Sequence, residues 1–187
     1  MKKIVNEIEE ALKQELQQDK PLHKQIAEQL TKSQFIWREE YTIAVAKDNS
    51  KTKVANLIVC SHFNEEPQTF RVKREGDFWK KLDARDDYLA VVECATFTNN
   101  STLCEIEKEA RDILRSRKEV HSVAGLGFVW VVEVEAGVDI DTIFELYFKD
   151  NFLTLEQGSK KYYIGWTEKL KDVDMRNFVC PPIQKKG

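Results

Sequence analysis

The sequence predicts an α/β fold, with α+β as the alternative, built on a single mixed β-sheet flanked by helices. Two runs, Tyr88 to Thr98 and Leu126 to Val134, are apolar on both alternating faces, as in strands covered on both sides. Between them, Leu103, Ile106, Ala110, Ile113 and Leu114 share one helical stripe, completing a strand-helix-strand unit suited to a parallel pair. The composition agrees: 187 residues, 42% hydrophobic and 33% charged, with only seven Gly and four Pro, describe one globular domain over residues 1–187.

The elements follow in order. Ile4, Val5, Ile8, Ala11, Leu12 and Leu16 recur at helical spacing among charged residues, predicting an amphipathic helix over 3–18. Pro21 suits the first turn of a second helix carrying Leu22, Ile26 and Leu30. At Phe35 the period changes to two, giving one strand through Val45 and, past the turn residues Asp48 to Lys51, another over 54–60. Residues 64–87 read as a polar excursion from the sheet, with a short strand at Thr69 to Arg74 and a helical turn around Phe78, Trp79 and Leu82.

Tyr88 to Thr98 is then the middle of the sheet. Thr102 and Glu105 have the spacing of a capping box, so a helix is expected from 102 to about 118. Leu126 to Val134 follows as a strand entered through Gly125 and Gly127, and Asp141 is placed to cap a helix containing Ile143, Phe144, Leu146, Tyr147 and Phe148. Lys161 to Trp166 adds an edge strand. The predicted order is α-α-β-β-(β)-β-α-β-α-β.

Several function classes are disfavoured at once. A formal charge of −3 provides no global field toward phosphate or lipid, so nucleic-acid binding needs a local basic face. No run approaches the roughly 18 apolar residues of a membrane span, and the first twenty residues do not form a signal core, so the expected compartment is the cytoplasm. Cys60, Cys94, Cys104 and Cys180 form no Cys-x-x-Cys pair, which speaks against structural zinc and a disulfide framework. His23, His62 and His121 lie far apart, and the sequons around Asn99 and Asn100 matter only in a secreted chain. The sequence contains no dinucleotide loop, phosphate loop or serine-nucleophile elbow, and no cofactor is expected.

Three polar residues interrupt apolar strand positions, where a group withdrawn from water needs a partner, a proton or a metal. They are Glu39, Asn56 and Glu93. A tight turn at Asn49-Ser50 would set Ile43 opposite Asn56 and Glu39 opposite Cys60, putting Glu39 and Asn56 on one face; a turn one residue longer would reverse this. The structural alternative is a Glu held by a nearby Arg or Lys and an Asn bonded to a loop. The functional alternative is a hydrophilic pocket holding Mg²⁺ through Glu39, Asn56 and Glu93.

In this order of elements, with polar residues on the second strand and on the strand before the long helix, residues 3–134 resemble the PD-(D/E)XK nuclease core. The resemblance sets Asn56 where that core has its metal-binding Asp and Glu93-Cys94-Ala95 where it has Glu-x-Lys. It makes Glu93 the catalytic candidate, with Glu7 or Glu10 as accessory ligand. Asn56 brings no carboxylate and Ala95 no ammonium, so the resemblance implies lost or relocated catalysis, with Lys108 or Arg111 as substitutes.

Arg71, Lys73, Arg74, Lys80 and Lys81, interleaved with Phe70, Phe78 and Trp79, form a candidate nucleic-acid patch, although acids occupy the same stretch. The leading expectation is a cytoplasmic binding or interaction protein, its partner a protein, a second copy or nucleic acid, rather than an enzyme. A Mg²⁺-dependent nuclease is the alternative. An oligomeric structural protein is the second alternative, drawing on Trp130, Phe144, Tyr147, Phe148, Phe152, Tyr162, Tyr163 and Trp166, residues that also suit the core.

Overall fold

A computed structural model describes residues 1–14, 20–33, 36–45, 52–60, 69–75, 78–81, 88–98, 101–121 and 127–168. Two helices, α1 (Lys2–Lys13) and α2 (Leu22–Lys32), precede the strands β1 (Ile36–Val45), β2 (Thr52–Cys60), β3 (Thr69–Glu75), β4 (Phe78–Lys81) and β5 (Tyr88–Thr96). Then come α3 (Leu103–His121), β6 (Gly127–Glu135), α4 (Asp141–Phe148), β7 (Phe152–Gln157) and β8 (Lys160–Thr167). The described strands make one mixed sheet in the order β4-β3-β1-β2-β5-β6-β8-β7, so the α/β class with flanking helices holds. β1 runs parallel to β3 and β5 to β6; the other neighbours are antiparallel.

The two-sided apolar strands lie where their composition demands. On one face Ala90, Val92, Val129, Val131, Tyr162 and Ile164 meet Ile4, Ile8, Leu12, Ile26 and Leu30 of α1 and α2. On the other, Val91, Phe97, Phe128, Trp130, Val132 and Tyr163 meet Ile106, Ala110 and Leu114 of α3 and Ile143, Phe144 and Phe148 of α4. Each large side chain withdrawn from water contributes about 1.5–3 kcal/mol, so this three-layer arrangement is the main source of stability.

Helix ends follow local chemistry. The capping box of α3 forms: the Glu105 amide donates to Thr102 Oγ1 (3.2 Å) and the Thr102 amide to Glu105 Oε2 (2.9 Å). Pro21 is the N-cap of α2. Helix α1 ends at Lys13, short of the expected residue 18, where Gln14 becomes extended (ψ 150°). Asp141 is not the cap of α4: Ile140 is, while Asp139 Oδ1 accepts the Asp141 amide at 2.9 Å.

Three further expectations are corrected. Residues 69–75 and 78–81 are not an excursion; β3 joins β1 and β4 pairs with β3, so together they extend the sheet to its edge. Phe78 and Trp79 are therefore strand residues, their aromatic side chains suiting a pleated surface as well as a helical turn. The expected edge strand at 161–166 is interior, because β7 pairs outside β8. Finally, Cys104 is disulfide-bonded, although the cysteine spacing speaks against a disulfide framework. Among the described residues no helix is long and apolar enough to cross a membrane. The expected turn at Asp48 to Lys51, the approach through Gly125, and Leu16, Asn99 and Asn100 lie outside the described residues.

Candidate functional site

Backbone register decides which of the three anomalous polar positions can meet. β1 and β2 pair with Ile36 opposite Cys60, Glu39 opposite Leu57 and Ile43 opposite Lys53. The expected partners were Cys60 for Glu39 and Asn56 for Ile43. The observed pairing is displaced by three residues, an odd number, so Glu39 and Asn56 fall on opposite faces of the sheet. β2 pairs with β5 through Leu57 opposite Val92, which sets position 56 one step further on, beside Glu93. Asn56 and Glu93 thus occupy one face and Glu39 the other.

The row continues across the sheet. Glu93 is paired with Trp130, Trp130 with Gly165, and Gly165 with Phe152. Its neighbours along β5, Val91 and Ala95, pack in the α3 and α4 layer. Glu93 is 6% exposed, the only strand carboxylate so buried among the described side chains. Next to it the Trp130 indole is fully buried, stacked on Phe144 (centroids 5.2 Å apart, planes at 11°), and its Nε1 has no hydrogen-bond partner. Gly165 makes this stacking possible, since a Cβ there would lie 2.7 Å from Phe148 Cε2 and 2.8 Å from Phe144 Cδ1. On the reverse face, burial and the adjacent Glu93 charge push the Cys94 thiol well above its ordinary range, which removes it as a nucleophile at neutral pH.

A second buried acid lies on α3, unnoticed in the sequence. Glu107 is 1% exposed. Tyr147 of α4 donates its hydroxyl proton to Glu107 Oε1 at 2.5 Å, and Arg111 Nη2 stands 3.8 Å from Oε2. Burial, then the bond to Glu107, raises the Tyr147 pKa. Leu103, Glu107, Ala110 and Leu114 recur at helical spacing, so the signal was an acid in the middle of an apolar stripe. A third knot fixes the start of α4: Tyr163 donates to Asp141 Oδ1 (2.7 Å) and accepts the Ile140 amide (3.2 Å). Both are local, closed arrangements that tie α4 to its neighbours.

No protein-family model, curated protein or solved structure matches this chain. The chemistry of its own side chains therefore defines the site. Glu7, a candidate accessory ligand, accepts from Gln29 Nε2 at 2.9 Å and from Ser33, and these bonds, Gln29 first, lower its pKa. It serves the α1–α2 pair. Glu10 pairs with Lys13 at 3.3 Å. α1 covers the face of Val92, so it lies on the other side of the sheet from Glu93. Lys108 is exposed on α3, and Arg111 is committed to Glu107. Among the described residues no group of three His, Cys, Asp or Glu side chains is arranged to hold a metal.

The basic positions are sorted by register as well. Lys73 pairs with Lys80, while Arg74 pairs with Trp79 and Val72 with Lys81. Arg71 pairs with Ala44 of β1 and shares a face with Lys73. Of the aromatic residues named as core or interface, Trp130, Phe144, Tyr147, Phe148, Tyr162 and Tyr163 are buried, and Phe152 and Trp166 are half-buried.

Proposed function

We propose that this chain is a nucleic-acid-binding protein built on a PD-(D/E)XK-like core with an incomplete metal centre. The observation that carries the reading is the β2–β5 pairing, which sets Asn56 beside Glu93. A carboxamide there contributes no charge toward a divalent cation, and Ala95 contributes no ammonium to position water. The order α1, β1, β2, β5, α3, β6 supports the resemblance in element sequence, with β5 and β6 parallel and adjacent. What such a core retains is its sheet, with a buried carboxylate at Glu93 and an edge hairpin rich in Lys and Arg.

Incubation of the protein with labelled oligonucleotides and plasmid, with Mg²⁺ or Mn²⁺, tests this directly. Binding without metal-dependent cleavage is expected, together with no metal-dependent heat in calorimetry. Asn56→Asp should acquire a Mg²⁺ heat that the wild type lacks, since it adds the missing carboxylate beside Glu93. Cleavage by the wild type that disappears in Glu93→Gln would overturn the proposal in favour of an active nuclease. One observation favours that second reading: position 40, between the pairs Glu39 to Leu57 and Tyr41 to Ala55, falls on the Asn56 face and is a glutamate.

A further inference from the structure

The register of the edge hairpin sets basic residues at facing positions. Lys73 and Lys80 are direct cross-strand partners, and Arg71 stands two residues before Lys73 on the same face. Like charges directly opposite one another in an antiparallel pair are destabilising. Phe78, two residues before Lys80, and its partner Glu75 share that face; Phe70, Val72, Arg74, Trp79 and Lys81 occupy the reverse.

Register also says which side of the sheet this is. Arg71 is level with Ala44, Ala44 with Thr52, and Thr52 has the strand parity of Asn56. The cationic positions Arg71, Lys73 and Lys80 therefore share a sheet face with Asn56 and Glu93, and Arg74 and Lys81 do not. β1, β3, β5 and β6 all run in one direction, so Lys73 stands toward the same end of the sheet as the C-terminus of β5. In open α/β sheets ligands gather outside the carboxyl ends of parallel strands.

Resting on the nucleic-acid reading above, we propose that the β3–β4 hairpin binds the phosphodiester backbone of a single-stranded nucleic acid through Arg71, Lys73 and Lys80, on the face that carries Asn56 and Glu93. Three cations along a strand pair track a chain of phosphates, and Phe78 among them supplies a platform on which an unpaired base stacks. A duplex offers no free base to such a platform. Lysines at an edge strand also discourage edge-to-edge aggregation, a role that needs no ligand and has its own signature in the test.

Fluorescence anisotropy of a labelled single-stranded oligonucleotide across a salt series reads the proposal. Arg71→Gln/Lys73→Gln/Lys80→Gln should lose about tenfold or more in affinity at low salt and flatten the salt slope by about 2, at roughly 0.7 per lost single-strand contact. Arg74→Gln/Lys81→Gln should bind within about threefold of wild type. Lys73→Arg/Lys80→Arg should retain binding, and thermal melts of every variant identify loss through unfolding. Equal losses from both faces, a preference for duplex, or a triple variant that is more stable and binds as well as wild type would overturn the hairpin assignment while leaving the nucleic-acid reading intact. Failure of the wild type to bind any oligonucleotide would overturn both.

Discussion

Gly165 and Tyr147 show how much rests on single atoms. Because a Cβ at 165 would enter the rings of Phe144 and Phe148, Gly165→Ala should destabilise the fold by about 1–3 kcal/mol, read as a lower urea midpoint at unchanged slope. Tyr147→Phe removes the hydroxyl donor from a buried carboxylate and should cost about 1–3 kcal/mol. Its pH signature has a definite sign. Tyr147 holds its proton above the ordinary tyrosine range when folded but releases it near 10 when unfolded. Its contribution is full below about pH 10 and is lost as pH rises toward the folded value, with Tyr162 shifted the same way by burial and then Glu133. Denaturation midpoints followed from about pH 8 to about pH 11 should fall steeply, and less so in Tyr147→Phe. At this scale the sequence was legible where spacing is local. Glu93 stood out inside an apolar run, and Glu107 carried the same signal on a helix. The partnership of Glu39 with Asn56 was not legible, because face depends on register, register depends on the turn, and a shift of three residues reverses parity.

Among the elements, α3 was read almost completely because its start is written in four consecutive residues. Thr102→Ala should cost about 1 kcal/mol of stability and Glu105→Ala less, with a double variant less destabilised than the sum, since the two bonds form one reciprocal unit. Thermal denaturation of the four species measures that coupling. The edge strands were read poorly for a physical reason. β4 is only four residues long, half of them lysine, and β7 is paired on one side only, so neither has the two-sided apolar run that marked β5 and β6. Without β7, β8 had to be taken as the edge. Aromatic residues such as those of β4 fit a helical turn as well as a strand, and its pairing with β3 distinguishes the two.

For the whole molecule, the two apolar layers are unequal in their chain connectivity. Among the described residues, those buried in the α3–α4 layer lie between Val91 and Tyr163, whereas the other layer joins α1 and α2 to strands from Ala90 onward. Removing residues 1–33 should therefore leave the first layer formed while uncovering Ala90, Val92, Val129, Val131 and Ile164; strong binding of an apolar dye and concentration-dependent aggregation are expected, with near-native far-ultraviolet signal from the strands. An equally soluble, dye-silent truncation would contradict the layer assignment. The general class was visible from sequence because two strands declared their burial on both faces, but which helices covered which face was not, since alternation names the faces without naming their occupants. The division has a consequence during synthesis. The ribosome releases α1 and α2 before the strands they pack against, and their cover is complete only when Ile164 has emerged, more than 130 residues after Leu30. Until then α1 lacks β7 and β8, strands it lies against, so the nascent chain presents an incompletely covered apolar helix pair for chaperones to shelter.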